Sequence, residues 1–103
     1  MPKPRLTFNE KVQKSTARGH EALNKAHGVR VELRRSTEPG APDRQKAINY
    51  ALITLNGAMA DIRSKIGQLP HYDHEDRSAV ALREISQALQ YERRQLKKMQ
   101  RPA

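Results

Sequence analysis

Residues 48–69 read INYALITLNGAMADIRSKIGQL. The apolar residues Ile48, Leu52, Leu55, Met59, Ile62, Ile66 and Leu69 are spaced 4, 3, 4, 3, 4 and 3 apart. That is an unbroken heptad seam, the pattern of a helix packed lengthwise on other helices. Ala51 and Ala58 line one side of it, where a neighbouring helix can come close, and Asn49, Asn56 and Arg63 line the other. Pro42 and Asp43 suit the first turn of this helix, which is therefore expected over about 42–69. Asn56-Gly57 lies inside it, and a glycine there costs about 1 kcal/mol against alanine.

Working toward the C-terminus, Pro70 opposes continuation. Asp73 reads as the cap of a third helix over about 74–100, with Glu75 and Asp76 at its positive end. Its seam is Leu82, Ile85, Leu89, Glu92, Leu96 and Met99, flanked by Ala81 and Ala88. The short connection implies an antiparallel hairpin with arms of about 40 Å. Counting from the turn sets Ile62 near Ile85, Leu55 near Glu92, and Ile48 near Met99. Glu92 interrupts an apolar seam. A buried carboxylate needs a partner, and Asn56 or Arg18 is the expected one.

Working toward the N-terminus, Ser36 to Pro42 (STEPGAP) is a loop by composition. Thr7 and Glu10 form a capping box, so a first helix is expected over about 8–27. Its seam, Phe8, Val12, Ser15, Gly19, Ala22 and Ala26, is mostly small and suits close packing. Gly28 can end such a helix in the left-handed conformation. Residues 29–34, Val-Arg-Val-Glu-Leu-Arg, alternate as a strand does. They are expected to be extended: a connector with its valines on the bundle, or a strand paired with residues 6–8 or with its copy in a second subunit. Residues 1–6 read as an extended basic arm held open by Pro2 and Pro4.

The strand-then-helix order of residues 29–69 resembles ribbon-helix-helix DNA-binding proteins. That resemblance implies that Arg30, Glu32 and Arg34 would face the major groove. The fold needs two shorter helices, with Asn56-Gly57 as the turn between them. The heptad seam argues instead for an all-α, three-helix up-down-up bundle on a long antiparallel hairpin, with one extended or β segment near 29–34. Residues 7–101 are read as a single helical domain.

Composition narrows the function. The chain has 103 residues, 36% of them hydrophobic, one Phe, no Trp and no Cys. There is no thiol chemistry, and the core is thin, so a homodimer is expected to complete the burial through paired hairpins or paired strands. No GxxxxGK[ST] or GxGxxG motif occurs. His71, Asp73, His74, Glu75 and Asp76 lack the spacing of a metal site and read as a polar turn. His20 and His27 lie too far apart to share one metal. No nucleophile–base pair is arranged locally, so the chain is expected to be non-catalytic, without metal or cofactor. It has no signal-peptide or membrane-spanning pattern, and a cytoplasmic protein is expected.

The net charge is +9 and is unevenly placed. Residues 1–35 carry nine Lys/Arg against three Glu, residues 36–76 four against six Asp/Glu, and residues 77–103 seven against two. An up-down-up bundle brings the end of the first helix and the end of the third to one pole. That pole would hold Arg30, Arg34, Arg35, Arg93, Arg94, Lys97, Lys98 and Arg101, while Glu10, Asp73, Glu75 and Asp76 would lie at the other. Two functions fit. One is nucleic-acid binding, DNA or RNA, through phosphate contacts at the basic pole. The other is a protein-binding module, inhibitor or adaptor docking a helical face on an acidic or apolar partner.

The seam itself is testable. Leu55→Ala should cost about 2–5 kcal/mol, the range for truncating a buried leucine. An unchanged melting temperature would show that the seam is not buried.

Overall fold

The computed structural model describes residues 6–36 and 42–100. Three helices account for nearly all of them: α1 Phe8–Ser36, α2 Pro42–Gln68 and α3 Asp76–Gln100. A single 3-10 turn, Leu69–His71, carries Pro70 between α2 and α3. Each helix packs on both others.

The order is up-down-up. Side-chain bonds from α3 to α2, Arg93 to Asn56 and Gln100 to Asn49, run in one antiparallel register. It is the register expected from the turn. Asn9 at the start of α1 receives bonds from the Glu75 N–H and the Ser78 hydroxyl at the start of α3. α1 and α3 are therefore parallel. At the other end, the Arg44 guanidinium donates to the Leu33 carbonyl, which ties the start of α2 to the end of α1.

The heptad seam is the core. Ile48, Leu55 and Ile62 of α2 are almost fully buried with Leu82, Ile85, Leu89 and Leu96 of α3. From α1 come Val12, Ala22, Ala26 and Leu33. Each large aliphatic side chain contributes about 1.5–3 kcal/mol by leaving water. Asn56-Gly57 is accommodated inside an unbroken α2.

The Thr7–Glu10 capping box is present. The Glu10 N–H donates to Thr7 Oγ1 at 3.2 Å, and the Thr7 N–H donates to Glu10 Oε1 at 3.4 Å. The polar turn expected at residues 71–76 is anchored on the start of α1. Phe8 stacks on Tyr72 with centroids 5.0 Å apart, and His74 meets the Phe8 ring edge-on.

Three expectations are corrected. Gly28 does not end α1, and residues 29–34 are neither strand nor extended connector; the helix runs on to Ser36. The alternation of residues 29–34 competed with a 3.6-residue period through Ala22, Ala26, Val29 and Leu33. The helical period wins because it buries Leu33, whereas a lone strand would leave its backbone groups unpaired. With that strand go the ribbon-helix-helix resemblance and the strand-paired dimer. Third, α3 begins at Asp76, so Asp73 is not its cap. The Ser78 N–H instead bonds the Glu75 carbonyl, while Asn9 takes up the Glu75 N–H. The arm at residues 1–5, the loop at 37–41 and Arg101 lie outside the described residues.

Gly19 sets how closely α1 approaches. A Cβ there would lie 2.8 Å from Ile85 Cγ1, near the root of a β-branched side chain that cannot swing away. Around Gly28 the space is open. Gly28→Ala should therefore raise stability by about 0.5–1 kcal/mol through helix propensity. Gly19→Ala should lower it, because overpacking of about 1–3 kcal/mol exceeds the same propensity gain. Chemical denaturation of the two variants decides this; an equal rise in both midpoints would show that α1 does not pack on Ile85.

Candidate functional site

Glu92 occupies a seam position of α3 and is 2% exposed. Its partners come from α1, and they are neither Asn56 nor Arg18. Arg30 Nε donates to Glu92 Oε2 at 2.5 Å, and His27 Nδ1 lies 2.9 Å from Oε1. His27 and Arg30 sit three residues apart, on one face of a helix. The same His27 Nδ1 is 3.2 Å from Arg30 Nη2. One ring nitrogen cannot donate and accept at once. A proton on Nδ1 satisfies the carboxylate, and that assignment leaves both Glu92 oxygens bonded. Among the described residues no buried side-chain polar atom lacks a partner. Asn56 instead accepts from Arg93 Nε at 2.9 Å.

Beside this cluster runs a groove of about 640 Å³ between α1 and α3, lined by Leu23, Asn24, His27, Ala88 and Tyr91 among others. It is an open trough with Arg30 and Glu92 in its wall.

The cluster redefines the basic pole. Arg30 is turned inward, its side chain 12% exposed, and is committed to Glu92. Arg93 is half-buried against Asn56. Arg34, Arg35, Arg94, Lys97 and Lys98 are exposed, at the end of α1 or in the last two turns of α3. Because α2 runs the other way, its first turns join the same end and add Arg44 and Lys46, which the sequence reading did not include. Counting charge by chain segment hid them. Residues 36–76 are acidic in sum, but Asp73, Glu75 and Asp76 belong to the far end of the bundle. Among the described residues, Glu32 and Asp43 are the exposed acids at the basic end, and Glu92 beside them is buried and bound to Arg30.

No protein-family model, curated protein or solved structure matches this chain. The arrangement of its own side chains carries the functional reading.

Part of the basic charge serves the fold. Arg34, Arg35, Lys97 and Lys98 lie in the last turns of α1 and α3, where cations complement the partial negative charge of helix C-termini. Arg94, Arg44 and Lys46 fall outside those last turns and exceed what the dipoles need. Arg34, Arg35, Lys46, Arg94, Lys97 and Lys98 are exposed and can present their charged groups to an oxyanion, whereas Arg44 is half-buried and bonded to the Leu33 carbonyl. The arginines offer planar, two-pronged donation and the lysines a mobile point charge. Opposite this end, ion pairs such as Lys65–Asp61 at 3.2 Å and Arg77–Glu75 neutralise charge locally.

The Arg30–Glu92 pair yields its own prediction. Glu92→Ala strands a largely buried guanidinium and should cost about 3–5 kcal/mol. The double variant Arg30→Met/Glu92→Leu removes both charges and continues the aliphatic seam, so it should be as stable as the parent or more so. Thermal unfolding of the three proteins checks this. A double variant as damaged as Glu92→Ala would mean that the loss comes from packing and not from an uncompensated charge.

Proposed function

We propose that this chain is a small, non-catalytic nucleic-acid-binding accessory protein that holds phosphates at the basic end of its bundle. The observation that supports the reading is the convergence at one end of exposed cations from three helices: Arg34 and Arg35 of α1, Lys46 of α2, and Arg94, Lys97 and Lys98 of α3. Neutralising phosphates with such groups releases condensed counterions, which makes binding strong at low salt and weak at high salt. Beside these cations Gln45 and Gln100 both donate to Asn49, which engages the carboxamides with one another, so sequence preference is expected to be slight. No helix among the described residues is long and apolar enough to cross a membrane. A cytoplasmic setting, where DNA or RNA is within reach, completes the proposal.

A second reading, a protein-binding module, inhibitor or adaptor for an acidic or apolar partner, is favoured by the groove between α1 and α3. Leu23, Ala88 and the half-exposed Tyr91 give it an apolar side on which a partner side chain could rest.

Salt dependence of binding to random-sequence duplex separates the two. Arg94, Lys97 and Lys98 replaced together by Gln should keep the fold and flatten the slope of log K against log salt by about 0.9 per lost contact, or about 0.7 for a single strand. Replacing Arg34 and Arg35 should act in the same direction. Lys11→Gln with Lys14→Gln, nearer the acidic end, should change it less. Equal losses from all three sets would reduce the protein to a general polycation. No binding at low salt would hand the function to the protein-binding reading.

A further inference from the structure

α2 carries a second heptad stripe on the side opposite its buried seam. Tyr50, Ile53, Gly57, Ala60, Ser64 and Gly67 follow spacings of 3, 4, 3, 4 and 3, and every one is exposed. Lys46 extends the stripe by one more interval of 4 toward the N-terminus. Ile53 is 70% exposed and Tyr50 61%, and a Cβ at Gly57 or Gly67 would meet nothing within 4 Å. From Tyr50 to Gly67 the stripe holds no charge, in a chain that is 30% charged. A solvated helix face carries Lys, Glu and Gln at such positions; this one carries an isoleucine, a tyrosine and small residues.

We propose that this face packs antiparallel against the same face of a second copy of the chain, about a two-fold axis at Gly57. The stripe is complementary to itself under that operation. Its large residues, Lys46, Tyr50 and Ile53, all lie on the N-terminal side of Gly57. Its small ones, Ala60, Ser64 and Gly67, all lie on the C-terminal side. A two-fold axis at Gly57 seats Ile53 of each copy on Ala60 of the other and Tyr50 on Ser64, with the two glycines in contact at the centre, as an isologous interface requires. A parallel arrangement would set tyrosine on tyrosine and leave a gap along the small half.

Charge selects the same occupant. The two α2 dipoles oppose in this arrangement, the N-terminal end of each helix lying beside the C-terminal end of the other. At the flanking positions Arg63 faces Asn49 and Asp61 faces Thr54, so no like charges meet. A chain of net charge +9 repels its own copies over most of its surface, and this neutral face is where that repulsion is least. Nucleic acid finds no cation along it from Tyr50 to Gly67. The contact is about 32 Å long and one helix wide, so a small, reversible interface is expected.

The test uses the full chain, which has no cysteine and so accepts introduced ones cleanly. Sedimentation velocity from about 1 to 500 μM, in salt sufficient to screen the net charge, should show a monomer–dimer equilibrium. Ile53→Asp should abolish the dimer with helicity and melting temperature of the monomer kept, because the side chain is exposed there. Ser64→Arg is the second variant if the first unfolds. On mild oxidation Gly57→Cys should cross-link to a dimer. Gly28→Cys, in equally open space on α1, should not. Tyr50→Cys mixed with Ser64→Cys should cross-link faster than either alone. A monomer at every concentration overturns the proposal, as does a dimer indifferent to both stripe variants. Tyr50→Cys linking to itself as fast as Gly57→Cys would overturn the antiparallel arrangement.

Discussion

A single buried carboxylate constrains this bundle more than any other group. Glu92 stands where the α3 seam calls for an aliphatic residue, and it is tolerated because Arg30 and His27 close around it. Those two residues reach one carboxylate only if they share a helical face, which requires α1 to remain helical beyond Gly28. The pairing thus couples three features: the length of α1, the parallel alignment of α1 with α3, and the height at which they cross. Apolar packing alone fixes such alignments weakly, since aliphatic seams slide by a heptad at modest cost. A buried charge admits one partner geometry and penalises the rest.

The same pairing divides the arginines. Every basic residue near the ends of α1 and α3 is nominally available to an anionic partner, yet Arg30 belongs to the interior and Arg93 leans on Asn56. What remains outside is a ring of cations drawn from three helices, with two helix C-termini beneath it. The dipoles favour that charge and so offset part of its self-repulsion. Topology does the rest: an antiparallel α2 brings its own basic first turns to this end, while its C-terminal end meets the acidic turn before α3. A protein with a modest apolar core gathers a local positive field at little cost to the fold.

The legible part of the fold was the part with a single period. The seams of α2 and α3, their register through the turn, and the small-residue face of α1 all follow from heptad spacing. The capping box at Thr7 and Glu10 is a local motif that carries its own geometry. Residues 29–34 misled because two periods fit them, and only the tertiary setting, with Leu33 in the core and Glu92 waiting for a cation, distinguishes them. Glu92 is recognisable as an anomaly from its place in the seam. Its partners are not, because the strand-like alternation of residues 29–34 would carry Arg30 away from α3. Arg44 and Lys46 were lost to averaging over a segment whose acids fold to the opposite end. The outward stripe of α2 shares its sequence with the buried seam, so it stands out only where the structure shows which face is exposed.

The exposed cations at one end of the bundle are proposed to form the nucleic-acid contact. Backbone amide shifts of the full chain, followed by NMR during titration with a short DNA duplex at low salt, test it most directly. Shifts should concentrate at Arg34, Arg35, Lys46, Arg94, Lys97 and Lys98, with little change around Lys11 and Lys14. Shifts spread evenly along α1, or centred on the groove beside His27 and Tyr91, would contradict it.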